Sequence, residues 1–283
     1  MTGIVAAALV AHVPTLARAE ITPDYQRTLV DAERVLGDAL RASFKPDLWV
    51  VVSAHWVATF DWLATCQAVH QGICVADEAP NLIPGSAYRF RGDPEFAGAL
   101  VEAIRSAGIP AARNDSEHYA WDYGTFVPLQ YLDPAGEVPV VCLPSVLMAS
   151  HDECLKVGAQ VHATAGRLGR RAVFVASSAL SHVLQRGRHN WPTSERMAAD
   201  RRFIDQLTAG ALDQVIDGFT DYSRIVGAEM GGRPLATLLG VARAMASEVA
   251  PIAGRQYGEY AQSSGSGNAV LLLAGPAGLA LLQ

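Results

Sequence analysis

Two short apolar runs near the amino end, Ile4-Val5-Ala6-Ala7-Ala8-Leu9-Val10-Ala11 and Leu48-Trp49-Val50-Val51-Val52-Ser53-Ala54, constrain this chain more than any other feature. Each is far too short to cross a bilayer as a helix. Each is apolar at almost every position, as strands buried on both faces of a covered sheet are. Between them, Asp24 to Ser43 carries Leu29, Val30, Val35, Leu36 and Leu40 at helical spacing, and Lys45-Pro46-Asp47 ends that helix before the second run. The result is a β-α-β unit.

The same alternation continues to the carboxyl end. Helical patterns cover Pro94 to Ala107, with Phe96, Leu100, Val101 and Ile104 on one face, then Asp152 to Leu168, Arg196 to Leu207 and Pro234 to Met245. Further strands are expected at Val138 to Leu143, Ala172 to Ala176 and Asn268 to Ala274. The fold class is therefore α/β: one domain over residues 1–283, with a mainly parallel or mixed central sheet covered by helices on both faces. Two regions fit the alternation poorly. Trp62 to Arg91 reads as part strand pair and part loop near a site, and the polar-aromatic stretch Arg113 to Tyr123 tips into a helix and is expected to line a pocket.

Composition limits the partners. With 283 residues, 50% hydrophobic and 18% charged, the chain can bury a large core, and its net charge of −6 with no basic cluster argues against nucleic acid. No basic segment precedes the first apolar stretch, so a cytoplasmic protein with no membrane span is expected. Cys66, Cys74, Cys142 and Cys154 show no C-x-x-C spacing, so neither a disulfide framework nor a zinc ribbon is indicated.

Both opening runs end on a histidine, His12 and His55. Ligands of open α/β sheets gather at the strand carboxyl ends, so two imidazoles delivered there can converge on one ion. His182 follows the strand at Ala172 to Ala176, and His151 follows Val140 to Ser145 at a similar offset. Either can serve a site or simply bond to backbone. His70, His118, His162 and His189 lie in polar or helical contexts that need no functional role. The carboxylate candidate is Glu229 in Gly227-Ala228-Glu229-Met230-Gly231-Gly232, where glycines permit close backbone approach; a solvated turn is the alternative. Two histidines and one carboxylate suit non-haem Fe(II) oxygenases, and zinc hydrolases use the same ligand types.

Several other features carry less. Ser263-Ser264-Gly265-Ser266-Gly267-Asn268 lacks the third glycine of a dinucleotide loop, since Val270 stands there, and reads as a tight turn that approaches the site. Ser177, Ser178 and Ser181 lack a G-x-S-x-G elbow. Arg186, Arg188 and Arg233 are candidates for a substrate carboxylate, with solvated surface arginine as the default.

His12-Val13-Pro14-Thr15, Ala54-His55-Trp56, Asp122-Tyr123-Gly124-Thr125-Phe126-Val127-Pro128-Leu129, Ser178-Ala179-Leu180-Ser181-His182, Gly227-Ala228-Glu229 and Ser263-Ser264-Gly265-Ser266-Gly267 together resemble an ordered motif set. It is that of the class III extradiol ring-cleavage dioxygenases, the family of protocatechuate 4,5-dioxygenase β subunits. The likeness is closest to the 3,4-dihydroxyphenylacetate 2,3-dioxygenase and 2-aminophenol 1,6-dioxygenase branches. It implies Fe(II), with Mn(II) as an alternative, held by His12, His55 and Glu229, and His182 as acid/base. It also implies a role for Tyr123, whose slot holds histidine in several relatives and tyrosine in others. A second catalytic histidine is thus missing there. A phenol that donates to substrate or oxygen, or a pocket-wall aromatic, takes its place.

The implied substrates are a small aromatic diol or aminophenol and O2, with the product a ring-opened semialdehyde. His182 would accept a phenolic proton and return it as the ring opens. A homo-oligomer is expected, as for many soluble enzymes. A zinc-dependent hydrolase and a non-catalytic member of the same fold are the competing readings.

Overall fold

The first apolar run forms β1 (Gly3–Val10), and the computed structural model, which describes residues 2–282, carries the chain from there into α1 (Asp24–Ala39). A π-helical turn, Leu40–Phe44, extends α1, and Lys45 closes it in a left-handed conformation (φ 47°) just before Pro46. The second run becomes β2 (Leu48–Ala58). Next come four short strands and two helices: β3 (Trp62–Thr65), β4 (Val69–Cys74), β5 (Ser86–Arg91), α2 (Pro94–Ser106), β6 (Ala111–Asn114) and α3 (Tyr123–Leu132). The remaining elements are β7 (Val140–Val146), α4 (His151–Arg167), β8 (Arg171–Ser177), α5 (Ser194–Thr208), α6 (Leu212–Val226), α7 (Arg233–Glu248), β9 (Ala253–Ser263), β10 (Ser266–Ala274) and α8 (Pro276–Ala280).

The central sheet has the order β7-β2-β8-β1-β10-β9. Its first four strands are parallel, and β10 and β9 join antiparallel, so the sheet is mixed and mostly parallel as expected. Alternation along β2 shows why its sequence is apolar throughout. Leu48, Val50 and Val52 enter one core layer, whereas Trp49 and Val51 enter the other. On the first face lie α2, α4, α5, α6 and α7; α1 and α3 cover the second. Where α4 crosses α7, Gly158 and Gly240 bring the two backbones into contact, because a Cβ on Gly240 would overlap the Leu155 carbonyl.

Two expectations need correction. His55 does not follow β2 but lies inside it, since the strand runs on to Ala58. The ladder to β8 nevertheless stops at Ser53, and pairing with β7 slips between Ser53 and Val57, so His55 occupies an irregular stretch of the kind that re-aims side chains. The polar-aromatic segment also behaves differently. Tyr119 and Trp121 turn inward, with Trp121 stacked on Tyr88 at 4.6 Å, and only Tyr123 at its end reaches the cavity described below. Residues 62–91 do contain a strand pair, β4 with β5, and a loop whose Glu78, Ala79 and Leu82 line the site. All four cysteines are buried and free. Among the described residues, no helix is long and apolar enough to cross a membrane.

Candidate metal centre

The sheet order explains how residues distant in sequence meet. β8 lies between β1 and β2, so the segments that leave the three strands share one crevice at their carboxyl ends. His12 enters from the end of β1 and His55 from β2, and their rings meet edge to face with centroids 4.8 Å apart. Glu229 arrives from a 3-10 turn, Glu229–Gly232, between α6 and α7. Gly227, Gly231 and Gly232 all take positive φ (58°, 63° and 79°), which is what the glycines flanking Glu229 supply. Met230 shares that conformation at φ 48°, a strained one for a residue with a side chain.

One carboxylate oxygen gathers three imidazoles. Glu229 Oε1 lies 3.2 Å from His12 Nε2, 3.4 Å from His55 Nε2 and 3.3 Å from His182 Nε2. Glu229 Oε2 accepts the Ala179 N–H at 2.6 Å. The donor atoms of His12, His55 and Glu229 all fall within 4.8 Å of one another. Two ligands at ~2.1 Å on adjacent positions of one ion stand about 3 Å apart, so the 3.2 and 3.4 Å distances from Glu229 to His12 and His55 fit a shared metal. His182 meets the group at Glu229.

Neighbouring side chains set the histidine tautomers. Ser177 Oγ donates to the Gly124 carbonyl at 2.5 Å, which leaves it free to accept from His12 Nδ1–H at 2.9 Å. His12 Nε2 is then the nitrogen that faces Glu229 Oε1: it donates to the carboxylate when protonated and is the one that would bind a metal once the proton is lost. His55 places Nδ1 3.5 Å from Glu78 Oε1, which again turns Nε2 inward. Such outer partners orient metal-binding imidazoles and raise their basicity. Tyr123 O–H donates to His55 Nε2 at 2.7 Å. A metal at that nitrogen would use the same lone pair, so the phenol would need another acceptor.

Electrostatics reinforce the arrangement. Burial alone would raise the Glu229 pKa, but His12, His55 and His182 around it hold the carboxyl well below its ordinary range. Burial also works against a charged His12, yet Glu229 outweighs it and raises that pKa. For His182, burial dominates over attraction to Glu229; His12 and His55 add to it, and the pKa falls below the ordinary imidazole value. Tyr123 moves up, chiefly by burial and then by Glu78 and Glu229, so its proton stays on.

These groups open into a cavity of about 600 Å³. Val13, Ile21, Pro23 and Leu82 supply apolar wall, while Ser266 and Asn268, beyond the turn between β9 and β10, supply polar groups. Among the three candidate arginines, Arg188 lines this cavity; Arg233 instead binds the carbonyls of Leu147, Ala149 and Met230. His151 stands apart from the cavity lining, with its ring nitrogens bound to Thr220 Oγ1 and the Gly231 carbonyl. Sequence reasoning missed Glu78 and the orienting role of Ser177. No local pattern marks either, because each matters only through the ring it faces.

Known proteins resemble this chain in family and in fold. The catalytic LigB subunit of aromatic ring-opening dioxygenase matches residues 6–264. The chain belongs to the LigB family. Among LigB relatives, it is 22% identical over 181 residues to the 3,4-dihydroxyphenylacetate 2,3-dioxygenase of Escherichia coli, a match that covers 62% of this chain and 65% of that enzyme, just under two thirds. It is 25% identical over 214 residues to a Pseudomonas 2-aminophenol 1,6-dioxygenase alpha subunit, covering 72% of this chain and 77% of the subunit. The crystal structure of the uncharacterized Escherichia coli K12 protein JW3007 shares the fold, with a TM-score of 0.68 at 19% identity over 96% of this chain and all of that one. The motif resemblance and the family match therefore coincide.

Proposed function

We propose that this LigB-family chain is a non-haem Fe(II)-dependent extradiol dioxygenase that opens the ring of a catechol with O2 to give a muconic semialdehyde-type product. The observation that carries the reading is the convergence of His12, His55 and Glu229 beside a separate imidazole, His182, at the floor of a cavity large enough for one aromatic ring. Two neutral imidazoles and one carboxylate form a three-ligand face that leaves coordination positions open. The metal would supply Lewis-acid polarisation of the diol and a meeting point for the two substrates.

The chain's own groups do the rest. His182, its pKa lowered chiefly by burial, is neutral near pH 7 and able to take a phenolic proton and return it later. Tyr123 keeps its proton and, released from His55 Nε2, can donate it to a substrate oxygen. Apolar walls hold the ring, and Arg188 faces the cavity where an anionic substituent would lie.

A 2-aminophenol is the second substrate class, favoured by the longer match to the Pseudomonas alpha subunit. Its nitrogen would replace one diol oxygen in the same pose. Anaerobic reconstitution with Fe(II), Mn(II) or Zn(II), followed by oxygen uptake over a panel of catechols and 2-aminophenols, tests the reading. Oxygen consumption with a yellow ring-opened product is expected with iron. Turnover without oxygen, or none with any metal across the panel, would overturn it.

A further inference from the structure

Behind His182 lies a buried carboxylate that the reading above does not use. Asp200, on α5, is fully buried and accepts four hydrogen bonds, from Ser181 N–H at 3.3 Å, Ser181 Oγ at 2.7 Å, Tyr260 O–H at 2.6 Å and Tyr222 O–H at 2.9 Å. Tyr222 comes from α6 and Tyr260 from β9, so one side chain joins three elements to the residue immediately before His182. Three of these bonds converge on Oδ2 and the fourth, from Tyr222, falls on Oδ1, so both oxygens of the carboxylate are engaged.

The backbone around Ser181 is stitched on both sides. Ser181 pairs with Ala228, next to Glu229, and His182 pairs with Ser266. His182 N–H donates to the Gly227 carbonyl at 3.1 Å, and Gly267 N–H donates to the Ser181 carbonyl at 2.9 Å. Gly267 supplies an independent observation. A Cβ there would overlap the Tyr260 hydroxyl and crowd Asp200, so the second glycine of Gly265-Ser266-Gly267 makes room for this network.

We propose that Asp200, with Ser181, Tyr222 and Tyr260, is a positioning device that fixes the backbone at Ser181 and thereby sets the His182 imidazole against Glu229 and the substrate cavity. The inference rests on His182 being the acid/base of the proposed reaction. It adds a residue that touches neither substrate nor metal.

Asp200→Asn keeps the shape and replaces one accepting oxygen with a donor. Metal content and the KM for catechol are expected to stay near wild type, while kcat falls about 10–100-fold, as misplacement of a reacting group does. In a His182→Ala background the same change is expected to cost less than about twofold, because residues that act as a unit are not additive. Hydrogen exchange of the metal-free protein gives a readout apart from turnover: the Leu180 and His182 amides are expected to exchange faster, with β8 amides unchanged. Tyr260→Phe removes one donor only and is expected to shift both readouts in the same direction by less, which covers the case of an unfolded Asp200→Asn.

Unchanged kcat in both variants, a full penalty in the His182→Ala background, or unchanged exchange at Leu180 and His182 would each overturn the proposal. If no protein turns over any ring substrate, the dioxygenase reading falls, and exchange in the metal-free protein still decides whether Asp200 holds this segment.

Discussion

Ser177 and Glu78 have the same relation to His12 and His55: each takes up Nδ1 and leaves Nε2 turned towards the carboxylate. Ser177→Ala is expected to weaken metal binding about 10–100-fold, the usual effect of losing an orienting partner, readable by competition with a chelator. Glu229→Ala is expected to lose the metal outright, and undiminished metal content would remove Glu229 from the ligand set. His182→Ala should keep its metal while kcat drops about 10²–10⁴-fold, the contribution of a positioned acid/base. Arg188→Ala is expected to raise KM for carboxylate-bearing catechols more than for catechol itself. In the sequence His12 and His55 stand out because each follows an apolar run, His182 because it trails a third strand and Glu229 because it stands between glycines, while Tyr123 stands out only through the family resemblance. Asp200 was not, since a lone aspartate in an amphipathic helix looks like any solvated one until the tyrosines facing it are known.

Strand order, more than any single strand, builds the site. β8 is inserted between β1 and β2, so the crevice above it receives side chains from both flanks. The apolar runs of β1, β2, β7, β8 and β10 announced those elements in the sequence, because interior strands bury both faces. β9 escaped notice. Its Gly254 and Gly258 interrupt any apolar period, and it lies at the sheet edge where only part of it is covered. The helix α6 was also passed over, although Leu212, Val215, Phe219 and Val226 mark a buried face at helical spacing. Helix contacts are tight where glycines meet. Gly240→Ala, which presses a methyl onto the Leu155 carbonyl, is expected to destabilise the protein by about 1–3 kcal/mol, measurable as a lower denaturant midpoint at unchanged m-value.

At the scale of the whole molecule, one buried acid couples the helix layer to the site. Glu33 on α1 accepts the Ala11 N–H at 3.0 Å through Oε1, while its buried Oε2 has no partner among the described residues. Burial raises its pKa well above the ordinary value, against the opposing Ala11 hydrogen bond. A raised carboxyl favours the protonated folded state, so its contribution is fully present below the unfolded pKa and is lost as pH rises through the folded one. Glu33→Gln is therefore expected to gain stability over wild type as pH rises from 5 to 8, by roughly 2–4 °C in Tm per kcal/mol relieved. An equal Tm difference across that range would contradict the titration.

The separation of His12 from Glu229, 217 positions along the chain, has a kinetic corollary. An unfolded or partly synthesised polypeptide holds these donors too far apart to chelate, so capture of the proposed ion would await nearly complete assembly of the molecule. Occupancy of the pocket would then be a late maturation event, and a purified batch with little bound ion would reflect supply after folding more than any defect in the polypeptide.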